Sequence, residues 1–194
     1  MEKIKSEKGF AITGGLIVLG VIAVVVIAFI STYNSLVAAN ENVTGKWGQV
    51  ENQLQRRNDL IPNLVATVKE FEKHESDVFN GVAKARSNMM SAKTVNDVTA
   101  ADGELTQALG RLMAVAEAYP ELKSNANFQH LQDELAGTEN RIAVARRDYN
   151  EAVQSFNTKI HTIPSSFFAG MLGYSDRDYF KADEAAHQVP KVQF

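Results

Sequence analysis

The sequence predicts an all-α protein: an N-terminal transmembrane helix followed by an up-and-down antiparallel four-helix bundle with long helices. Three observations predict it. Residues 11–30, AITGGLIVLGVIAVVVIAFI, are twenty consecutive positions without a charge. Downstream, apolar residues recur in alternating steps of three and four, the spacing that lines one face of a helix. Only four prolines interrupt a chain rich in Ala, Leu, Glu, Gln, Asn and Lys, all but Asn among the stronger helix formers.

The apolar stretch comes first. At about 1.5 Å of rise per residue, twenty helical residues cross the roughly 30 Å hydrocarbon core of a bilayer. A helix also satisfies its own backbone hydrogen bonds there. Lys3, Lys5 and Lys8 precede the stretch, and Lys46 is the sole basic residue in the twenty that follow. That bias places the N-terminus in the cytoplasm and the rest of the chain on the periplasmic or extracellular side of the inner, cytoplasmic membrane. The apolar core is longer than the roughly 7–15 residues of a cleaved signal peptide, so an uncleaved single-pass anchor is expected. Lys8-Gly9-Phe10 looks like a pilin-type leader, but Gly14 stands where pilins carry a glutamate, and that reading is rejected. The expected organisation is a short cytoplasmic segment (1–10), the span (11–30), the bundle (31–163) and an apolar C-terminal tail (164–194).

Four helical stretches are expected after the span. The first runs through Tyr33, Leu36, Asn40, Val43, Trp47, Val50 and Leu54. The second is Ile61, Leu64, Val68, Phe71, Glu75, Val78, Val82, Ala85 and Met89. A third, about 97–118, turns Val98, Leu105, Leu109 and Leu112 inward. The fourth, the most regular, carries Phe128, Leu131, Leu135, Thr138, Ile142, Ala145, Tyr149, Ala152, Phe156 and Ile160. Leu135 and Phe156 are therefore expected to be buried. Such near-heptad seams pack at shallow crossing angles. Asn58-Asp59 offers a cap and Pro62 suits a first turn better than a helix interior, so a hairpin is expected there. The alternative is one long helix kinked at Pro62, because the three-four phase continues across it. A hairpin at Pro62 would return the tail to the bilayer, whereas a continuous helix would leave it at the far end.

Several motifs together are distinctive: Tyr33-Asn34-Ser35-Leu36-Val37, Arg57-Asn58-Asp59-Leu60-Ile61-Pro62-Asn63-Leu64-Val65, Tyr119-Pro120-Glu121-Leu122-Lys123 and Thr138-Glu139-Asn140-Arg141-Ile142. With Ala145-Arg146, Tyr149-Asn150 and Pro164-Ser165, they make the chain resemble the LemA family of bacterial membrane proteins across nearly its whole length. The resemblance implies a helical bundle on a membrane anchor, and it implies no catalytic residues and no established activity.

Composition narrows the chemistry. A formal net charge of −3 lacks the basic footprint that nucleic-acid binding needs. The absence of cysteine rules out disulfides, Cys-ligated zinc and iron–sulfur clusters. Di-iron bundles use Glu-x-x-His pairs on two helices, and this sequence contains none. No cofactor or metal is expected. The informative polar residues lie on or beside the seams: Arg57, Glu75, Arg86, Glu139, Arg141 and Arg146, with Thr138 among them. A buried carboxylate is costly unless paired, and arginine can pair with it bidentately. Glu75 or Glu139 is thus expected to meet Arg57, Arg86 or Arg146 inside the bundle. In the apolar tail, Phe167, Phe168, Met171, Leu172 and Phe194 are expected to contact membrane or a neighbouring subunit. The expected partners are the lipid bilayer, further copies of the chain and another membrane protein. The function these features suggest is a self-assembling envelope scaffold without catalysis. The alternative is an adaptor or regulator of a membrane enzyme such as a protease.

Overall fold

A computed structural model describes residues 2–71 and 75–181, with side chains from residue 15 onward. Among the described residues the chain is helical without strands. Six helices follow in order: α1 (Glu2–Phe71), α2 (Ser76–Ser91), α3 (Val95–Glu117), α4 (Pro120–Lys123), α5 (Ala126–His161) and α6 (Ser165–Met171). Phe194 lies outside the described residues.

The expected hairpin at Pro62 does not form, because α1 continues through Pro62 to Phe71. The physical reason is local and specific. Proline has no N–H, so the carbonyl four residues earlier, that of Asn58, loses its helical donor. Arg86 on α2 replaces that donor, its Nε donating to the Asn58 carbonyl oxygen at 3.2 Å. The apolar phase then runs unbroken through Leu54, Ile61, Leu64 and Val68, all buried. Asp59, expected as a cap, instead accepts from Gln55 Nε2 at 2.8 Å. The reversal comes after Phe71, and the expected second helix is divided between the end of α1 and α2.

The chain divides into two compact units, and α1 and α5 contribute to both. One unit comprises Met1–Asn42 with Gln154–Asp176. In it Leu36, Phe156, Ile160 and Ala169 are buried. Lys159 Nζ donates to Ser35 Oγ at 2.8 Å, and Phe156 meets Tyr174 edge-on with ring centroids 5.7 Å apart. By contrast, every residue from Gly15 to Ile30 is exposed, in a helix long and apolar enough to cross a membrane. The segment beyond Pro164, expected only as an apolar tail, begins with helix α6. A Schellman motif closes that helix: Gly173, at φ 71°, lets Tyr174 N–H reach the Ala169 carbonyl at 3.0 Å.

The other unit comprises Val43–Val153 with Arg177–Phe194. Here α1 and α5 run antiparallel, since Lys46 pairs with Asp148 while Arg56, farther along α1, pairs with the earlier residue Glu134. Trp47 packs on Tyr149 with centroids 5.1 Å apart. Next to them α2 and α3 form a helical hairpin, tied by Asn88 Nδ2 donating to Glu104 Oε2 at 2.7 Å. α3 starts from a capping box, in which Thr94 Oγ1 accepts from Asp97 N–H while the Asp97 carboxylate accepts from Thr94 N–H. Pro120 sits in the first turn of α4, and the Asn125 side chain accepts from the Asn127 and Phe128 amides to open α5. The core seams are Val50, Leu54, Ile61, Leu64 and Val68 of α1, Phe79 and Val82 of α2, Leu105 and Leu112 of α3, and Phe128 and Ile142 of α5. Burial of each contributes roughly 1.5–3 kcal/mol. Phe156 is buried as expected, but Leu135 is only half-buried.

Candidate functional site

The site grows from a cation placed on an apolar seam. On α1, the steps from Leu54 to Arg57 to Ile61 put the guanidinium where a leucine would otherwise pack, and Arg57 is only 2% exposed. An unpaired buried charge would be prohibitively costly, so its neighbours decide the chemistry. Asp102 of α3 answers it directly, one carboxylate oxygen on Arg57 Nη2 and the other on Arg146 Nη2 of α5. Arg57 Nη1 also donates to Glu139 Oε2 of α5 at 3.0 Å and to Thr106 Oγ1 of α3 at 3.4 Å. Two cations and two anions thus meet with no net charge. Arg57 Nε and Arg146 Nε are buried with no hydrogen-bond partner among the described residues. The arrangement holds geometry: a planar guanidinium forked across carboxylates from two other helices ties α1, α3 and α5 in one register.

A second layer braces Arg146. Its guanidinium stacks over the Phe180 ring, 4.5 Å from the centroid. Phe180 is itself fastened to α5, since Asn150 Nδ2 donates to the Phe180 carbonyl at 2.9 Å and Phe180 N–H returns to Asn150 Oδ1 at 2.9 Å. Tyr149 Oη donates to the Asp178 carbonyl at 2.8 Å. Burial pushes the Tyr149 hydroxyl above its ordinary pKa, with the nearby Arg177 acting the other way, so the donor persists well into alkaline solution. At the surface, the bond from Arg56 holds the Glu134 carboxylate below the usual range.

Beside the cluster, a groove of about 500 Å³ opens between α3 and α5. Arg57, Asp133 and Glu139 are its charged lining, and Leu109, Met113, Leu135 and Ala136 its apolar lining. This explains the half-exposure of Leu135: Gly110 and Ala136 are too small to fill the space next to it.

Arg57 and Glu139 do meet, but Glu139 reaches the buried guanidinium from an exposed position and is not itself inside the bundle; Arg146 joins them through Asp102. Glu75 does not. It is exposed at the start of α2, without a side-chain capping bond, and not on the seam of α1. Arg86 is drawn to the Asn58 carbonyl and not to a carboxylate of the cluster. Arg141 is exposed and lies back along its own helix, donating to Thr138 Oγ1 at 3.0 Å across the surface of Gly137. Asp102 is the residue that the sequence reading missed. Its signal is a gap in the α3 seam, since Val98 and Leu105 are seven apart and Asp102 fills the missing step between them.

A family model described as the LemA family matches residues 46–194, a range that holds Arg57, Asp102, Glu139 and Arg146. The chain belongs to the LemA family. Several relatives are similar to this LemA-family chain over most of its length. It is 31% identical to magnetosome protein MamQ 2 of Paramagnetospirillum magneticum, over 88% of this chain and 73% of that one. With magnetosome protein MamQ of Magnetospirillum gryphiswaldense the identity is 28%, over 79% and 68% of the two chains. With protein LemA of Metamycoplasma hominis it is 21%, over 92% and 80%.

Proposed function

We propose that this LemA-family chain is a non-catalytic scaffold of the cell envelope, anchored in the inner membrane by residues 11–30 and self-assembling through its helical domain. In this reading the N-terminus is cytoplasmic, and the domain is an up-and-down four-helix bundle on the periplasmic or extracellular side. One observation carries it: the apolar stretch exposed from Leu16 to Ile30 belongs to the same unbroken helix that buries Arg57. Side chains that are apolar around the whole helix and uncovered by protein are solvated by lipid. The same helix then enters a domain whose buried charges are neutralised by one another, which suits rigid positioning better than turnover.

The groove beside Arg57 favours a second reading, an adaptor that binds part of another membrane protein there. One experiment separates the two. The full chain is solubilised from its native membrane in mild detergent and its particle mass and composition are measured. A particle of several copies supports the scaffold. A stoichiometric second protein supports the adaptor. A bare monomer overturns both.

A further inference from the structure

We infer that α6 is a second membrane contact, a short helix that seats Phe167, Met171 and Leu172 in the surface of the bilayer where the span emerges. The inference rests on the reading that the exposed apolar part of α1 crosses the membrane. Phe168 of α6 meets Phe29 of α1 edge-on, with ring centroids 4.9 Å apart. Phe29 is next to the last residue of the apolar stretch, and Tyr33 follows one turn later. That is the level at which aromatic rings settle among lipid headgroups.

The helix is two-sided. Ala169 is buried and Phe168 is half-buried. Phe167 and Met171, four residues apart and so on one face, are 72% and 71% exposed, and Leu172 is 38% exposed. Phe167 also stacks edge-on against Phe168 at 5.3 Å, which extends the apolar surface of the span sideways without a break. The exposure is built in, because α6 is held at both ends. The Schellman turn at Gly173 and the Phe156–Tyr174 contact fasten its end, and His161 meets Asp176 at 2.8 Å across its base.

The charge pattern names the lipid chemistry. No Lys, Arg, Asp or Glu lies between His161 and Asp176. Interfacial helices that select anionic lipids carry a basic face, and α6 has none. Its occupant is therefore the apolar–headgroup boundary of any bilayer, with no requirement for a negative surface.

The chain contains no cysteine, so single-cysteine variants of the full protein can each carry one fluorophore. Val24→Cys, Phe167→Cys and Met171→Cys are labelled with a polarity-sensitive dye and reconstituted into phosphatidylcholine vesicles. Lipids bearing a nitroxide near the headgroup should lower emission at positions 167 and 171 by about two-fold, and aqueous iodide should do little. Adding phosphatidylserine should leave both results unchanged. Quenching by iodide and not by lipid would overturn the inference, and so would protection from both, which is the signature of a second protein copy over α6. The Val24 label separates the two levels of the argument. Deep nitroxide quenching there with no lipid quenching at α6 removes this inference alone, whereas failure at Val24 overturns the membrane-crossing reading and this inference with it.

Discussion

Two stretches of α1 draw on the same aliphatic side chains and meet opposite fates. From Leu16 to Ile30 every residue is exposed, while between Val50 and Val68 one stripe is buried and the remaining faces are polar or open. The amount of apolar surface does not distinguish them as well as its arrangement does. An apolar stripe every third or fourth position is completed by other helices. An apolar surface that goes all the way round offers no polar face to water, and in the proposed reading lipid completes it. Even the polar exception differs. Arg57 interrupts the buried stripe because Asp102 and Glu139 are there to meet it, whereas the first stretch has no charge at all.

The hardest test of that contrast is to unbalance the buried cluster. Asp102→Ala leaves Arg57 buried beside Arg146 with only Glu139 to answer it, and should cost on the order of 3–5 kcal/mol. The check is the chemical denaturation midpoint of the full chain in detergent. An unmoved midpoint would mean that the cluster is not inside the domain.

Next come paired truncations on the two stretches. Leu64→Ala should cost about 2–5 kcal/mol, because Leu64 is fully buried by protein. Leu19→Ala, at a residue 67% exposed, should leave unfolding of the domain unchanged in the same detergent. Equal losses would erase the distinction between the stretches.

Smaller is the effect of the donor that lets α1 pass through Pro62. Arg86→Met removes the bond to the Asn58 carbonyl and should cost about 1–3 kcal/mol. Pro62→Ala restores the missing backbone N–H. In that background Arg86→Met should cost measurably less, a coupling that a double-mutant cycle reads directly. Simple additivity would show that Arg86 acts through packing alone.

Smallest is the cap of α3. The Thr94 hydroxyl and then the Thr94 amide hold the exposed Asp97 carboxylate below its ordinary pKa. A lowered folded-state pKa means that this contribution is present above the ordinary carboxylate range and is lost as pH falls through the lowered value. Thr94→Ala should weaken that part of the acid-unfolding profile of the full chain. An identical profile would remove the capping box from the account.

Legibility followed the range of the interactions. Phe156, Ile142 and Leu64 were readable because a seam is written in nearest helical neighbours. Arg57, Glu139 and Arg146 stood out as charges on or beside such a seam. Asp102 was readable too, had the seven-residue gap between Val98 and Leu105 been taken as a position to fill. Glu75 was misplaced by carrying one helical phase from Ile61 through to Met89, whereas it stands just before α2 begins at Ser76. Leu135 was misjudged because its exposure depends on Gly110 of α3 and on its own neighbour Ala136, whose small size opens the groove. The tail was expected to reach the far end if α1 ran straight. Yet α6 rests on Phe29, because the reversal after Phe71 does what the hairpin at Pro62 was expected to do.

The sequence alone therefore determined the helical class, the apolar N-terminal stretch with the lysines before it, most of the residues that turn inward and the family. Each of these is encoded in composition or in residues a few positions apart. Only the tertiary structure decided where the chain reverses, which acid meets Arg57 and what lies beside the end of the span. The physical reason is the same in all three cases. A missing N–H at Pro62, a buried guanidinium and an uncovered phenylalanine each state a need, and the group that meets it comes from another helix: Arg86, 28 residues from Asn58; Asp102, 45 residues from Arg57; and Phe168, far along the chain from Phe29.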